Sequence, residues 1–180
     1  MCRLAYRNGV TTAITAPSGS GFLQGVSTAF SAGSANALGR GAVVQEETAL
    51  HITISLSLTP SVSTQIAALR SQLFESSLEH WVHVRKVCLS FCHVSIIFLH
   101  SSLSLQGEIP LVVNVDSADI MATLVNLKRE FEHDTRNHLR LTFSGAAEAH
   151  LLADEIARAD INVILTSPRT YPFSWEQRRM

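Results

Sequence analysis

The sequence has little charge and few cysteines. Only 16% of its 180 residues are charged, and the formal net charge is −1. A near-neutral chain offers no electrostatic basis for binding nucleic acid or an anionic membrane, so neither partner is expected. Three cysteines are too few for a disulfide framework, and they favour a reducing compartment. The low charge also indicates that a partner covers part of the surface.

Long hydrophobic runs are also missing. The first residues hold no apolar stretch of signal-peptide length, so a cytoplasmic location is the default expectation. The run VSIIFL, at residues 94–99, is far shorter than the ~20 residues that cross a bilayer, so no membrane span is expected. Hydrophobic residues still make up 46% of the chain, which is enough for one domain with a core.

Three apolar runs in the C-terminal half have the character of buried strands. They are LVVNV (111–115), LRLTF (139–143) and INVIL (161–165). The segments between them have helical spacing, and strand, helix, strand at these intervals predicts parallel pairing with right-handed crossovers. Asp116 or Ser117 can cap the first helix. The predicted inward residues of the two helices are Ile120, Leu124, Leu127, Phe131, Leu151, Leu152 and Ile156.

The N-terminal half is less regular. VTTAITAP (10–17) predicts a strand, and the Gly-, Ser- and Ala-rich residues 18–41 predict a loop. Residues 42–58 carry strand-forming side chains. Residues 61–82 have helical spacing at Ile66, Leu69, Leu73 and Leu78.

Function in parallel α/β folds collects where the strands end. The predicted ends are 17–21, 114–117, 144–145 and 166–169. Because parallel strands point the same way, the sequence predicts that one rim of the sheet holds Asn114, Asp116, Ser144 and Thr166.

A dinucleotide site and a zinc site are the first alternatives. Glycines 19, 21 and 25 follow a predicted strand in a G-x-G-x-x-x-G spacing that could admit phosphates, but no acidic residue follows at the distance that ribose recognition needs. Zinc-ligand residue types occur in an apolar segment, at a spacing that matches no established pattern. Those residues are His83, Cys88, Cys92, His93 and His100.

Hydrolytic motifs that use serine or paired carboxylates are weak. No G-x-S-x-G elbow occurs. The carboxylate pairs Glu46/Glu47 and Asp154/Glu155 are adjacent in sequence, so their side chains point in different directions and favour a solvated face.

Two stretches of the sequence resemble the amidohydrolase superfamily. They are YRNGVTTAITAP (6–17) and the stretch from GEIPLVVNVDSADI through FSGAAEAHLLADEI to VILTSPR (107–169). The text is most similar to fungal proteins of this superfamily that are akin to imidazolonepropionase and to the deacetylases of carbohydrate esterase family nine. The resemblance implies a (β/α)₈ barrel that hydrolyses non-peptide C–N bonds with metal-activated water.

The resemblance also implies where metal ligands stand. Complete relatives carry His-x-His on the first strand, histidines at the ends of the fifth and sixth, and an aspartate on the eighth. Here Asn114 and Asp116 occupy histidine positions, Ser144 stands at the next ligand position, and the first- and eighth-strand motifs do not occur. A serine hydroxyl is a poor zinc ligand.

The expectation is therefore an incomplete (β/α)₈ TIM-barrel-like parallel sheet that forms one domain over 1–180. As written, the chain is expected to hold no zinc cofactor, to be inactive, and to self-associate through open sheet edges. In a complete form it would act on a small-molecule substrate. The competing interpretation is a pseudoenzyme-like binding or interaction protein.

Residues 87–106 interrupt the sequence that resembles the amidohydrolase superfamily. Joining Lys86 to Gly107 gives HVRKGEIPLVVNV, which reads continuously as family-like sequence. All codons of Val87 begin with GT, and Gln106 can be encoded by CAG, so the segment has the features of a short unspliced intron read in frame. A genuine insertion is the alternative.

Overall fold

A six-stranded sheet with helices packed on one face forms the structure. The computed structural model describes residues 2–17, 19, 21–75 and 109–166. In chain order the elements are α1 (Cys2–Arg7), β1 (Thr12–Thr15), β2 (Leu23–Ser31), β3 (Val43–Thr53), α2 (Val62–Glu75), β4 (Leu111–Val115), α3 (Ala118–Thr135), β5 (Leu141–Gly145), a 3₁₀ helix (Ala149–Leu152), α4 (Ala153–Arg158) and β6 (Asn162–Leu165).

The strands lie side by side in chain order, from β1 to β6. Strands β3 to β6 pair in parallel, as expected, and α3 and α4 follow β4 and β5. The first three strands instead pair antiparallel, so the sheet is mixed. It curls into an incomplete α/β barrel.

The loop predicted over 18–41 is wrong at its centre, because β2 occupies Leu23–Ser31. The Gly- and Ser-rich segment has little strand propensity of its own. Pairing with β3 overrides it, and the buried Ser27 hydroxyl donates to the Ala49 carbonyl at 3.2 Å. The pairing of β2 with β3 therefore outweighed the low strand propensity of this segment.

The hydrophobic core lies between the sheet and the helices α2 and α3. Alternate residues of β3, β4 and β5 face these helices, as the period of two in a strand requires. The strand members of the core are Leu50, Ile52, Leu111, Val113, Val115, Leu141 and Phe143, and Ile54, directly after β3, joins them. Phe74 of α2 meets Phe131 of α3 edge to face, with ring centroids 6.0 Å apart. All four predicted inward residues of α3 are buried.

The helix predicted after β5 is broken. Gly145 and Ala146 have positive φ, and a 3₁₀ turn precedes the short α4. A 3₁₀ turn has three residues per turn, so its side chains fall out of α-helical register. Leu151 is therefore 46% exposed, contrary to the prediction, while Leu152 and Ile156 pack inward as predicted.

Several predicted features lie outside the described residues. They include Leu78, the insertion 87–106, strand-end residues 167–169, and the histidines and cysteines of the zinc alternative. In the part of the chain that is described, no helix is both long and apolar enough to cross a membrane.

Candidate functional site

The predicted site residues lie at the C-terminal ends of the parallel strands. In the β-ladder, Thr53 of β3 pairs with Asn114 of β4, and Asn114 pairs with Ser144 of β5. Adjacent strands are about 4.8 Å apart, so these three residues form a row across the sheet. Asp116 and Thr166 directly follow β4 and β6. The prediction that these strand ends share one rim is confirmed.

This row faces away from the helices. Val113 and Val115 belong to the core, so Asn114 between them projects from the opposite face, which we call the inner face. Asn114 is exposed, and Ser144 and Thr53 are half-buried. The row is therefore accessible to a ligand that approaches from the concave side.

Gly145 brings two oxygen atoms together at the rim. It has φ +85°, and a Cβ built on it would lie 2.8 Å from Asp116 Oδ1 and 3.0 Å from Asn114 Oδ1. Any side chain at position 145 would therefore displace both oxygens, and the backbone conformation itself favours glycine. Sequence reasoning placed Gly145 within a predicted strand end, 144–145, but did not select it as a site residue, although a glycine at the end of a buried strand was the available signal.

Glu148 anchors the end of β4. Its side chain is buried, and its Oε2 accepts a hydrogen bond of 2.8 Å from the backbone N–H of Ala118 at the start of α3. The Glu148 N–H in turn donates to the Asp116 carbonyl at 3.2 Å. A carboxylate at a helix N-terminus is stabilised by the helix dipole. Glu148, rather than the expected side chain of Asp116 or Ser117, caps this helix; Ser117 occupies the N-cap position without a side-chain bond.

Gln65 of α2 holds the loop that follows β3. Its buried amide Nε2 donates to the carbonyls of Ser55 at 3.1 Å and Pro60 at 2.7 Å, and its Oε1 accepts from the Ser55 N–H at 3.2 Å. A single buried side chain thus fixes the β3 end of the rim. The sequence offered no signal for this role beyond helical position.

The donor atoms at the rim do not fit zinc. Asn114, Asp116 and Ser144 offer amide, carboxylate and hydroxyl oxygens, whereas protein zinc sites are built largely from imidazole and thiolate. Within the described ranges, no three His, Cys, Asp or Glu side chains converge as a metal site. The metal that the family resemblance implies therefore has no suitable ligand set among these residues.

The glycines of the dinucleotide alternative and the carboxylate of Glu155 have structural surroundings. The loop with Gly19 and Gly21 leads into strand β2 rather than into a helix, so the phosphate-binding context is absent there, and Gly25 packs against Pro17. Glu155 bonds to Arg129 and Arg158, each at 2.7 Å. The hydrogen bond from Arg129, followed by the charge of Arg158, holds the pKa of Glu155 below its usual value.

Two comparisons place the chain among known proteins. Amidohydrolase tasK from Hapsidospora irregularis is 27% identical over 206 aligned positions, which cover 98% of this chain and 21% of that protein. The crystal structure of an amidohydrolase from Thermotoga maritima MSB8 has a TM-score of 0.71 at 15% identity, over 93% of this chain and 45% of that chain. No protein-family model matches.

The chain spans about a fifth of the curated relative's length and less than half of the structural neighbour's. The structural likeness covers 93% of this chain, and at 15% sequence identity it supports a shared fold only. The curated relative carries the sequence relationship. The chain is therefore related to the amidohydrolase superfamily over part of the length of those proteins.

Proposed function

We propose that this chain derives from a hydrolase of non-peptide C–N bonds, such as cyclic amides or N-acyl groups, and does not catalyse that reaction by itself. The ancestral reaction uses metal-activated water. The observation that carries the proposal is the row of oxygen donors at the rim, with Asn114 and Ser144 in register on adjacent strands. Neither residue supplies the imidazole that a zinc centre needs.

The test measures metal and turnover together. The purified chain is incubated with zinc, dialysed and analysed for metal, then assayed against cyclic amides and N-acyl amines. We expect far less than one zinc per chain and no hydrolysis above the metal-only rate. One zinc that survives dialysis, together with turnover, would overturn the proposal.

A paired substitution sharpens the test. Asn114→His with Ser144→His puts imidazoles on neighbouring strands of the rim, and this variant should retain more zinc than the unaltered chain. The control, Leu38→His with Leu151→His, adds two histidines at exposed positions on separate elements. Equal zinc retention by both variants would show that the rim is not the ancestral metal position.

A second function, ligand binding without catalysis, is favoured by the inner face itself. Within the described part of the chain, the side chains of Thr53, Asn114 and Ser144 have no hydrogen-bond partner. Polar groups grouped on one accessible face can bind a small molecule without metal chemistry. Retention of a small molecule by metal-free protein would support this function, and turnover in the hydrolysis assay would exclude it.

A further inference from the structure

The row Thr53–Asn114–Ser144 presents groups that both donate and accept hydrogen bonds. Threonine and serine hydroxyls can do either, and the asparagine amide has both kinds of atom. The residues are in register on three adjacent parallel strands, so their spacing is set by the sheet and not by a loop. A site on strands holds its geometry more firmly than a site on loops.

The next row below is uncharged. It contains His51 of β3, which pairs with Val112, and Val112 pairs with Thr142. The Nε2 atom of His51 is buried and has no hydrogen-bond partner. Burial lowers the pKa of this imidazole, so the ring is neutral at neutral pH. The floor of the inner face therefore brings no positive charge to a ligand.

Charge complementarity limits which ligands the inner face can bind. Asp116 Oδ1 and Asn114 Oδ1 converge over Gly145, so the rim offers two acceptors, one of them a carboxylate. An anionic ligand would meet like charge at Asp116, and neither row contains lysine or arginine to offset it. An ammonium group can only donate, which leaves the donors of Asn114 and the two hydroxyls without acceptors.

We propose that the inner-face row Thr53–Asn114–Ser144, with Asp116 at its rim, binds a neutral polyhydroxylated small molecule. Each ligand hydroxyl both donates to and accepts from the row, and the carboxylate of Asp116 accepts from a further hydroxyl. This inference rests on the proposed function, because a metal-free rim leaves these oxygens available to the ligand. It names the ligand class for that same site.

The test uses three probes with one carbon skeleton and different charges: glucose, glucosamine and glucose 6-phosphate. Binding to the full chain is followed by the NMR signal of the Asn114 side-chain amide, which is identified by its loss in Asn114→Leu. An open site with a few hydrogen bonds should bind glucose with a Kd of about a millimolar. Glucose 6-phosphate should bind at least about tenfold more weakly, because of Asp116.

Matched variants separate the site from non-specific effects. Asn114→Leu lacks the monitored amide, so glucose binding to it is read from the backbone amides of Thr53 and Ser144 and should be lost there. Ser144→Ala should weaken the glucose response at the Asn114 side chain. Asn137→Leu alters an exposed asparagine at the opposite end of the sheet and should leave it unchanged. Far-UV circular dichroism of each variant checks folding, and Ser144→Ala, a small change, keeps the test available if Asn114→Leu does not fold.

Several results would overturn the inference. They are the absence of a glucose response at Asn114, tighter binding of glucose 6-phosphate than of glucose, and a preference of more than about tenfold for glucosamine. The last would indicate a cation site. Metal content and turnover decide the proposed function separately, so metal-free, inactive protein that ignores glucose would refute this inference alone.

Discussion

The carboxylate oxygen Oδ1 of Asp116 lies 2.8 Å from the point where a Cβ atom on Gly145 would stand. Gly145→Ala should lose about 1–2 kcal/mol of stability from its positive φ alone. It should also push the side chains of Asp116 and Asn114 aside, because both are flexible at their ends. Urea unfolding measures the first effect and the Asn114 side-chain NMR signal measures the second.

Gly41→Ala is the matched control for that variant. Gly41 has φ +75° with nothing within 4 Å of its virtual Cβ, so the substitution carries the backbone cost without the contact. It should destabilise the chain by a similar amount and leave the Asn114 signal in place. An unchanged Asn114 signal in Gly145→Ala would refute the convergence of the two oxygens.

Lys128 should matter more to stability than its exposed neighbour Arg129. The Lys128 side chain is 1% exposed, and its ammonium donates to the carbonyls of Ala159 at 2.7 Å and Asp160 at 3.1 Å. Lys128→Met fills the same space but leaves these carbonyls unpaired, so a loss of about 2–3 kcal/mol is expected. Arg129→Met removes an exposed ion pair with Glu155 and should cost less than about 1 kcal/mol. Equal losses in urea unfolding would contradict this account.

His51 should make stability depend on pH below neutrality. Burial lowers its pKa in the folded chain, so the unfolded chain takes up the proton first, at its usual pKa of about 6.5. The folding stability associated with neutral His51 is therefore fully present above that pH, and it is lost as the pH falls toward the pKa of the folded chain. The residues paired with it, Gly25 and Val112, do not titrate.

Thermal melts between about pH 7.5 and pH 5 test this dependence. The Tm of His51→Gln should fall less with acidification than that of the unaltered chain. His133→Gln, which removes a histidine whose side chain is 88% exposed, should keep the original dependence. The assignment fails if His51→Gln retains the full dependence.

Strand β6 should promote self-association. Within the described residues it pairs with β5 alone, and Val163, Ile164 and Leu165 are 37–59% exposed without a charged residue in the strand. Such an apolar edge can pair with another strand. Ile164→Lys should shift the chain to a smaller species in size-exclusion chromatography, whereas Leu38→Lys, in an exposed loop, should not. A monomer before substitution would count against this prediction.

The insertion 87–106 is testable at the level of RNA. If it is an unspliced intron, transcripts that join the codons of Lys86 and Gly107 should be found by amplification across codons 80–110. Transcripts that all contain the segment would instead favour a genuine insertion.

Local sequence patterns predicted the elements whose signal is complete within a few residues. The run LVVNV predicted β4 at its observed bounds, Leu111–Val115. The alternating four- and three-residue spacing from Ile120 to Phe131 predicted the buried face of α3. Both are periodic patterns in which each residue's face follows from its neighbours along the chain. Parallel pairing then followed from the alternation of strands and helices, and it placed Asn114 and Ser144 on one rim.

The remaining features depended on contacts between residues far apart in sequence. The strand β2 exists because β3 pairs with it, against the propensity of a Gly- and Ser-rich segment. Glu148 caps helix α3, which begins thirty residues earlier, and Gln65 of α2 holds the loop that follows β3. The sequence by itself determined the parallel half of the sheet and its polar rim. Only the tertiary structure decided that Asp116 and Asn114 converge over Gly145, because that geometry arises where two strand ends and a left-handed glycine meet.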